Sequence, residues 1–181
     1  MMPALELLCE SAEASVRSQN WYSALMMALT LPDICASLGS ENGKSSRTLY
    51  AEWFDENVGD HYKIRIGRDE ELFTFLGGDD CYALRCAFLH HGMSDITDQR
   101  AQRALTNFKF VVPPKGLQIH CNLWDEVLQL QVDLFVNDII NSVRSWREKV
   151  RGQETVEMRL NNMAEISIML PGQGFSFGPR E

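Results

Sequence analysis

The sequence has no hydrophobic run long enough to cross a membrane and no basic segment ahead of one. Its longest apolar run, ALMMALTL, is far shorter than the roughly 18 to 20 residues that span a bilayer. The amino-terminal stretch MMPALELLCESAEA has no positively charged segment of the kind that begins a secretory signal. We therefore expect neither secretion nor membrane insertion, and no membrane as a partner.

The cysteines lack the spacing that is typical of disulfide-rich or zinc-binding proteins. There are five, an odd number, and the sequence has no Cys-x2-Cys or His-x3-His pair. His120 and Cys121 are neighbours in a predicted strand, so their side chains would point to opposite faces. We expect reduced cysteines, a cytoplasmic location, and neither a metal ion nor another cofactor.

The sequence also lacks common enzyme motifs and an excess of positive charge. It has no Gly-x-Ser-x-Gly elbow, no Walker loop and no dinucleotide-binding fingerprint, since the glycines of GQGFSFG have the wrong spacing and no helix follows them. The formal net charge is -8, which disfavours broad attraction to nucleic acid because non-specific binding is mostly neutralisation of phosphates by Lys and Arg. DNA is not expected as a partner, and contact with RNA would have to be local.

Helical periodicity dominates what the sequence does contain. Hydrophobic residues make up 45% of the chain, and no internal repeat or linker divides it, so we expect one domain over residues 1 to 181. The apolar stripe over residues 124 to 150 predicts a helix of roughly 40 Å, long enough to brace several shorter helices. The predicted helices cover about residues 3 to 18, residues 21 to 32 with Pro32 as a break or kink, residues 45 to 59, and residues 124 to 150.

Strands are expected in only a small part of the chain. FKFVVPP and LQIHCNL alternate around PPKG, which predicts a hairpin or a pair of short strands at about residues 107 to 123. Residues 60 to 77 predict one short element, AEISIML is a further candidate strand, and the tail at about residues 171 to 181 is expected to be loose. The predicted fold class is mainly α: a helical bundle with a long C-terminal helix and a small β element.

The stretch GGDDCYALRCAFLHHG predicts a short helix with clear ends. Asp79 or Asp80 can cap its amino terminus, and Gly92 can follow its last turn. Its apolar residues go most of the way round, which is typical of a helix buried on more than one side. Arg85 and His90 are costly to bury there unless they are paired, so they either converge on a site or are solvated at an exposed helix end.

The spacing of Arg85 and His90 resembles that of a known superfamily. RCAFLH places four residues between them, as in the Arg-x4–6-His signature of the HEPN superfamily, and YSALMMALTLPDIC and CYALRCAFLHHG look like stretches of an uncharacterised bacterial family. The resemblance covers roughly residues 15 to 92. It implies a HEPN-like bundle that forms a homodimer, with two Arg and His pairs in a shared cleft, and a metal-independent endoribonuclease that acts as a toxin or phage-defence effector. An antitoxin or another protein is then a candidate partner, as is RNA.

The implied chemistry suits the two side chains. A histidine with a pKa near ~6.5 can act as general acid or base on a ribose 2′-hydroxyl and a leaving oxygen, and a guanidinium can bind a phosphate bidentately. By the resemblance, His90 would transfer protons and Arg85 would bind the phosphate. His91 is expected to cap the helix or to support the site. Cys86 stands where active members commonly have a polar residue, often Asn, so a hydrogen bond that orients the site is lost.

Each candidate residue also has a competing structural role. Arg85 could be anchored by an acidic neighbour, and His90 could cap the last carbonyl groups of its helix. Asp33 is expected as a helix N-cap after Pro32, with pairing to Arg85 as the functional alternative. Three arginines at i, i+3 and i+7 could follow a phosphate backbone or be the cations common at a helix C-terminus: Arg144, Arg147 and Arg151.

Two hypotheses of function follow from these residues. The first is an endoribonuclease that uses Arg85 and His90 at a dimer cleft. The second is a non-catalytic, HEPN-like dimeric protein with an interaction or regulatory role, in which Arg85 serves the fold. The first requires an accessible Arg85 that no carboxylate occupies, whereas a pair between Arg85 and Asp33 or Asp79 within one subunit favours the second.

Overall fold

A computed structural model describes residues 4 to 90 and 107 to 166, with the side chain of His90 excepted. The residues described form six α-helices, one 3-10 helix and five short strands, which confirms a mainly α fold. The helices are α1 (Ala4–Arg17), α2 (Trp21–Gly39), α3 (Arg47–Asn57), the 3-10 helix (Gly59–Tyr62), α4 (Gly78–His90), α5 (Val132–Lys149) and α6 (Glu154–Asn161). The strands are β1 (Lys63–Ile66), β2 (Glu71–Thr74), β3 (Phe108–Val111), β4 (Asn122–Trp124) and β5 (Val127–Gln131).

The second helix is the centre of the bundle and contacts α1, α3, α4, α5 and α6. Its 19 residues continue through Pro32, so Pro32 does not end the helix, and Asp33 lies inside it rather than at the predicted N-cap. Proline removes one backbone hydrogen bond from a helix, but burial of α2 against its neighbours stabilises the segment. Of the described helices, only α2 is long and apolar enough to cross a membrane, and half of that segment is buried in the bundle.

The fifth helix packs one apolar stripe against the bundle. Its buried face agrees with the predicted stripe, but the helix begins at Val132 and not near residue 124. The preceding residues form β4 and β5, with Asp125 and Glu126 at positive φ in the turn between them. The buried hydrophobic residues on this face are Val132, Phe135, Val136, Ile139, Ile140, Val143 and Trp146.

The short strands form two small sheets. In the three-stranded sheet, β5 lies between β3, which is parallel to it, and β4, which is antiparallel. The predicted strands near residues 107 and 123 therefore exist, but they do not pair with each other as a hairpin. The other sheet is an antiparallel hairpin of β1 and β2, where the sequence predicted only one short element. Residues 167 to 181, which include the predicted loose tail, lie outside the described residues.

Candidate functional site

The fourth helix, which carries Arg85, begins at an unusually close contact with α3. A Cβ atom on Gly78 would lie 2.2 Å from the carbonyl oxygen of Ala51, so only glycine fits there. The backbone N–H of Gly78 donates to the carboxylate of Asp55 at 2.8 Å, and Asp79 and Asp80 lie in the first turn of the helix rather than at the predicted N-cap position. These contacts fix α4 against α3 and so set the position of Arg85.

Arg85 is paired with Asp33 inside the subunit. Its Nη2 lies 2.7 Å from Oδ2 of Asp33, and the two side chains are only 23% and 17% exposed. The other carboxylate oxygen of Asp33 accepts a hydrogen bond from the hydroxyl of Ser45 at 2.7 Å. The guanidinium also lies 5.8 Å from the ring centre of Tyr82, within cation–π range. The pair therefore joins α4 to α2 and to the loop before α3.

The surroundings of Arg85 keep it charged. Burial lowers its pKa, but Asp33 and the neighbouring Cys86 thiol outweigh burial, so the pKa is raised above its ordinary value. Cys86 is half-buried and also raises the pKa of Tyr82, after the larger effect of burial. Nε of Arg85 is buried without a hydrogen-bond partner among the residues described. Arg85 is thus a permanent cation whose guanidinium is paired on one side with Asp33.

The predicted partner of Arg85 is only partly placed. His90 is the last residue of α4, and its side chain lies outside the described part of the structure, as does all of His91. Asp79 is paired with Arg47 at 2.7 Å and does not bind Arg85. Of the predicted site residues, the structure therefore brings together Arg85, Asp33 and Cys86.

The three arginines predicted as phosphate ligands all lie in ion pairs. Arg144 binds Glu6 and Glu13, each at 2.6 Å, and so fastens α5 to α1. Arg147 binds Glu157 on α6 at 2.7 Å, and Arg151 binds Glu148 within its own helix region at 2.5 Å. These contacts oppose the interpretation of the three arginines as a row of free cations along a phosphate backbone.

A cleft of about 380 Å³ opens on the side of Asp33 that faces α6. Its wall includes Arg159, which sequence reasoning missed and which donates hydrogen bonds to the carbonyl groups at the end of α2. The bonds to Leu38 and Glu41 measure 2.8 and 3.0 Å, and Ser40 is a further acceptor. Arg159 therefore caps a helix and is not free for a ligand. The lining residues are Asp33, Ile34, Ser37, Leu38, Gly43, Arg159, Asn162 and Met163.

A second polar cluster, also missed, surrounds Asp138 on α5. The hydroxyl of Tyr62 donates to Asp138 at 3.1 Å, and Nε2 of His120 lies 3.5 Å from the same carboxylate oxygen. The backbone N–H of Gln131 donates to Nδ1 of His120 at 3.2 Å. His120 is 12% exposed and Tyr62 is fully buried, so the cluster fixes the loop before β4 rather than facing a substrate.

The Asp138 cluster perturbs two titratable groups. Burial lowers the pKa of His120, but the Asp138 carboxylate, 3.5 Å from Nε2, and the adjacent Cys121 outweigh burial and raise the pKa to about 9. Gln131 acts in the opposite sense, because Nδ1 can accept its N–H only while Nδ1 is unprotonated. Burial and then Asp138 raise the pKa of Tyr62 well above its ordinary value.

No group of three or more His, Cys, Asp and Glu side chains is placed to hold a metal ion within residues 4 to 90 and 107 to 166. No family model matches the chain, and no curated protein or solved structure matches it either. The resemblance to HEPN domains therefore depends on the Arg85–His90 spacing and the two sequence stretches that accompany it.

Proposed function

We propose that this chain is a non-catalytic interaction or regulatory protein with a HEPN-like helical fold, in which Arg85 stabilises the bundle. The observation that carries the proposal is the intramolecular ion pair between Arg85 and Asp33 at 2.7 Å. A phosphate would have to displace a carboxylate that Ser45 already orients. Displacement would leave Asp33 charged and mostly buried without a partner, which is costly.

The remaining charges support the same proposal. Arg144 and Arg147, two of the predicted phosphate ligands, are fastened to carboxylates on other helices. The net charge of -8 adds a general repulsion of nucleic acid. Within residues 4 to 90 and 107 to 166, each arginine predicted to bind phosphate is paired with a carboxylate, which suits binding of another protein better than binding of RNA.

The proposal includes a homodimer in the cytoplasm. The HEPN resemblance favours pairing of two copies, and a second protein is the other candidate partner. If the chain belongs to a toxin system, that second protein would be an antitoxin. A non-catalytic HEPN-like protein would act by binding such a partner protein rather than by cutting RNA.

A metal-independent endoribonuclease is the second candidate function, and one observation favours it. The Arg85 side chain keeps 23% of its surface exposed, on atoms other than the buried Nε. A phosphate arriving from the solvent side would meet a charged guanidinium. His90 would then transfer protons at a cleft between two copies, and the biological role would be that of a toxin or phage-defence effector.

A metal-free RNA cleavage assay separates the two functions. Purified protein is incubated with single-stranded RNA in a chelating buffer, beside Arg85→Ala, His90→Ala and the surface variant Arg17→Ala. The proposal expects no cleavage above background by any of them. Cleavage by the wild type and Arg17→Ala that is lost in the other two, with cyclic phosphate ends, would establish the endoribonuclease instead. Equal cleavage by all four proteins would identify a contaminating nuclease.

A further inference from the structure

The β1–β2 hairpin extends from the bundle with little cover. All residues of β2 are exposed, and no third strand pairs with the hairpin among the residues described. Four apolar side chains along it are open to solvent: Ile64 at 44%, Ile66 at 44%, Leu72 at 55% and Phe73 at 38%. An exposed two-stranded sheet with apolar side chains has two free edges that can pair with another strand.

The hydrogen-bond pattern shows which backbone groups face outward. The N–H of Phe75 donates to the carbonyl of Tyr62 at 2.8 Å, so these two residues form a hydrogen-bonded pair at the base of the hairpin. Such pairs alternate with open pairs in an antiparallel ladder. The open pairs are then Lys63 with Thr74 and Arg65 with Leu72, and the backbone groups of these four residues point away from the hairpin.

The two free edges differ in charge. The outward-facing residues of β1 are Lys63 and Arg65, so two β1 edges would bring like charges together, which protects this edge from pairing. The outward-facing residues of β2 are Leu72 and Thr74, which carry no charge. The β2 edge is therefore the one that is open to another strand.

We propose that β2 pairs antiparallel with β2 of a second copy of this chain, about a two-fold axis at Phe73. In this register Leu72 and Thr74 of each copy form hydrogen-bonded pairs with Thr74 and Leu72 of the other, so every outward N–H and C=O of both residues is used. Phe73 of one copy lies opposite Phe73 of the other as a non-hydrogen-bonded pair, the kind of pair in which side chains approach most closely. Because Ile64 is the register partner of Phe73, one apolar row crosses all four strands.

The same register avoids repulsion between the copies. Glu71 lies across from Phe75 of the second copy and not from another acidic residue. The resulting interface is small, because stable interfaces bury about 1,200 to 2,000 Å² and two four-residue strands bury much less. We expect an association that is weak and depends on protein concentration. The inference deepens the proposed function and rests on it for the role of the pairing, whereas the pairing itself is measured without RNA.

Sedimentation equilibrium over a range of concentrations tests the pairing with two matched proline variants. Leu72→Pro removes an outward N–H from the β2 edge, and Arg65→Pro removes one from the β1 edge at the register partner of Leu72. Neither N–H takes part in the hairpin itself. We expect Leu72→Pro to raise the dissociation constant at least about tenfold, or about 1.4 kcal/mol, and Arg65→Pro to leave it unchanged.

Disulfide trapping gives a second measurement that does not depend on proline. Phe73→Cys places two thiols at the axis, and oxidation should yield a covalent dimer on a non-reducing gel. Ile64→Cys, on the same face of β1, and the wild type with its own cysteines should not cross-link in this way. A wild type that stays monomeric at every concentration, or equal effects of the two prolines, would overturn the pairing.

Two further outcomes keep the pairing distinct from the proposed function. A dimer that persists in Leu72→Pro and is not cross-linked in Phe73→Cys uses another surface. That outcome would exclude the pairing of β2 strands but not the proposed interaction role. Specific RNA cleavage would exclude the non-catalytic role. The pairing of β2 strands would then still be decided by sedimentation equilibrium.

Discussion

The guanidinium of Arg85 and the carboxylate of Asp33 lie 2.7 Å apart and connect the fourth helix to the second. Each charge would be costly to bury alone, and together they explain how a helix buried on several sides accommodates an arginine. The hydroxyl of Ser45, in the loop before α3, donates a second bond to Asp33. The pair is therefore part of the packing of three segments of the bundle.

Removal of one member of this pair will destabilise the fold. Asp33→Ala leaves a charged Arg85 mostly buried without a counter-charge, and we expect a loss of about 1 to 3 kcal/mol in the free energy of unfolding, less than for a fully buried pair because both side chains keep some exposure. Urea denaturation measures this loss. The matched control is Arg151→Ala, whose pair with Glu148 is 69% and 60% exposed, and it should change stability by less than about 1 kcal/mol. Equal losses in the two variants would contradict a structural role for Asp33.

The contact between α3 and α4 makes Gly78 sensitive to substitution. In Gly78→Ala the new Cβ would meet the backbone oxygen of Ala51 at 2.2 Å, and backbone atoms cannot move aside as a flexible side chain can. We expect a loss of about 2 to 4 kcal/mol, at the upper end of overpacking effects, measured by thermal and urea unfolding. Gly39→Ala is the control, because its Cβ would lie at an ordinary 3.5 Å from Trp146. If Gly78→Ala unfolds like Gly39→Ala, the helices are not in direct backbone contact.

Local sequence patterns predict most of the helices correctly. The apolar spacing near the amino terminus corresponds to α1, and α3 lies within the helix predicted over residues 45 to 59, capped by the Ser46 hydroxyl, which accepts from the N–H of Leu49 at 3.2 Å. These features depend on residues within one or two turns, which a sequence shows directly. The Arg85–Asp33 pair was one of two alternatives for Asp33, because the sequence names the charges but not their separation in space.

The errors arise where distant residues decide the structure. The helix α2 continues past Pro32, where the sequence predicted a break or a kink, because five other helices pack against α2. Strand β5 replaces the start of the predicted long helix because it pairs with β3. Local propensity is a weak guide in both places, since tertiary contacts override it. Arg159 and Asp138 were missed for the same reason, because their partners lie far away in the sequence.

Arg159 is expected to contribute to stability through its bonds to the end of α2. Arg159→Lys keeps the charge but cannot reach the carbonyl groups of Leu38, Ser40 and Glu41 together. We expect a loss of about 1 to 2 kcal/mol in the free energy of unfolding, the net value of one or two hydrogen bonds to a charged donor. Arg17→Lys, at the exposed end of α1, should change stability little. A neutral Arg159→Lys would show that charge alone, and not the planar group, stabilises this helix end.

The pair of His120 and Asp138 predicts that stability depends on pH. Because the folded pKa of His120 is raised from 6.5 to about 9, its contribution is complete below pH 6.5 and is lost as the pH rises through 9. The full shift corresponds to about 3 kcal/mol, and loss of the Gln131 bond on protonation of Nδ1 reduces it, so we expect about 1 to 2 kcal/mol over this interval. Asp138→Asn should remove the dependence, and His61→Gln is the control that should keep it, because Nδ1 of His61 also lies 3.8 Å from the Asp138 carboxylate. An NMR titration of the His120 ring gives its pKa directly. A wild-type stability that stays flat from pH 6.5 to 9, with a His120 pKa below 6.5, would mean that the Gln131 N–H outweighs Asp138 and holds the ring neutral.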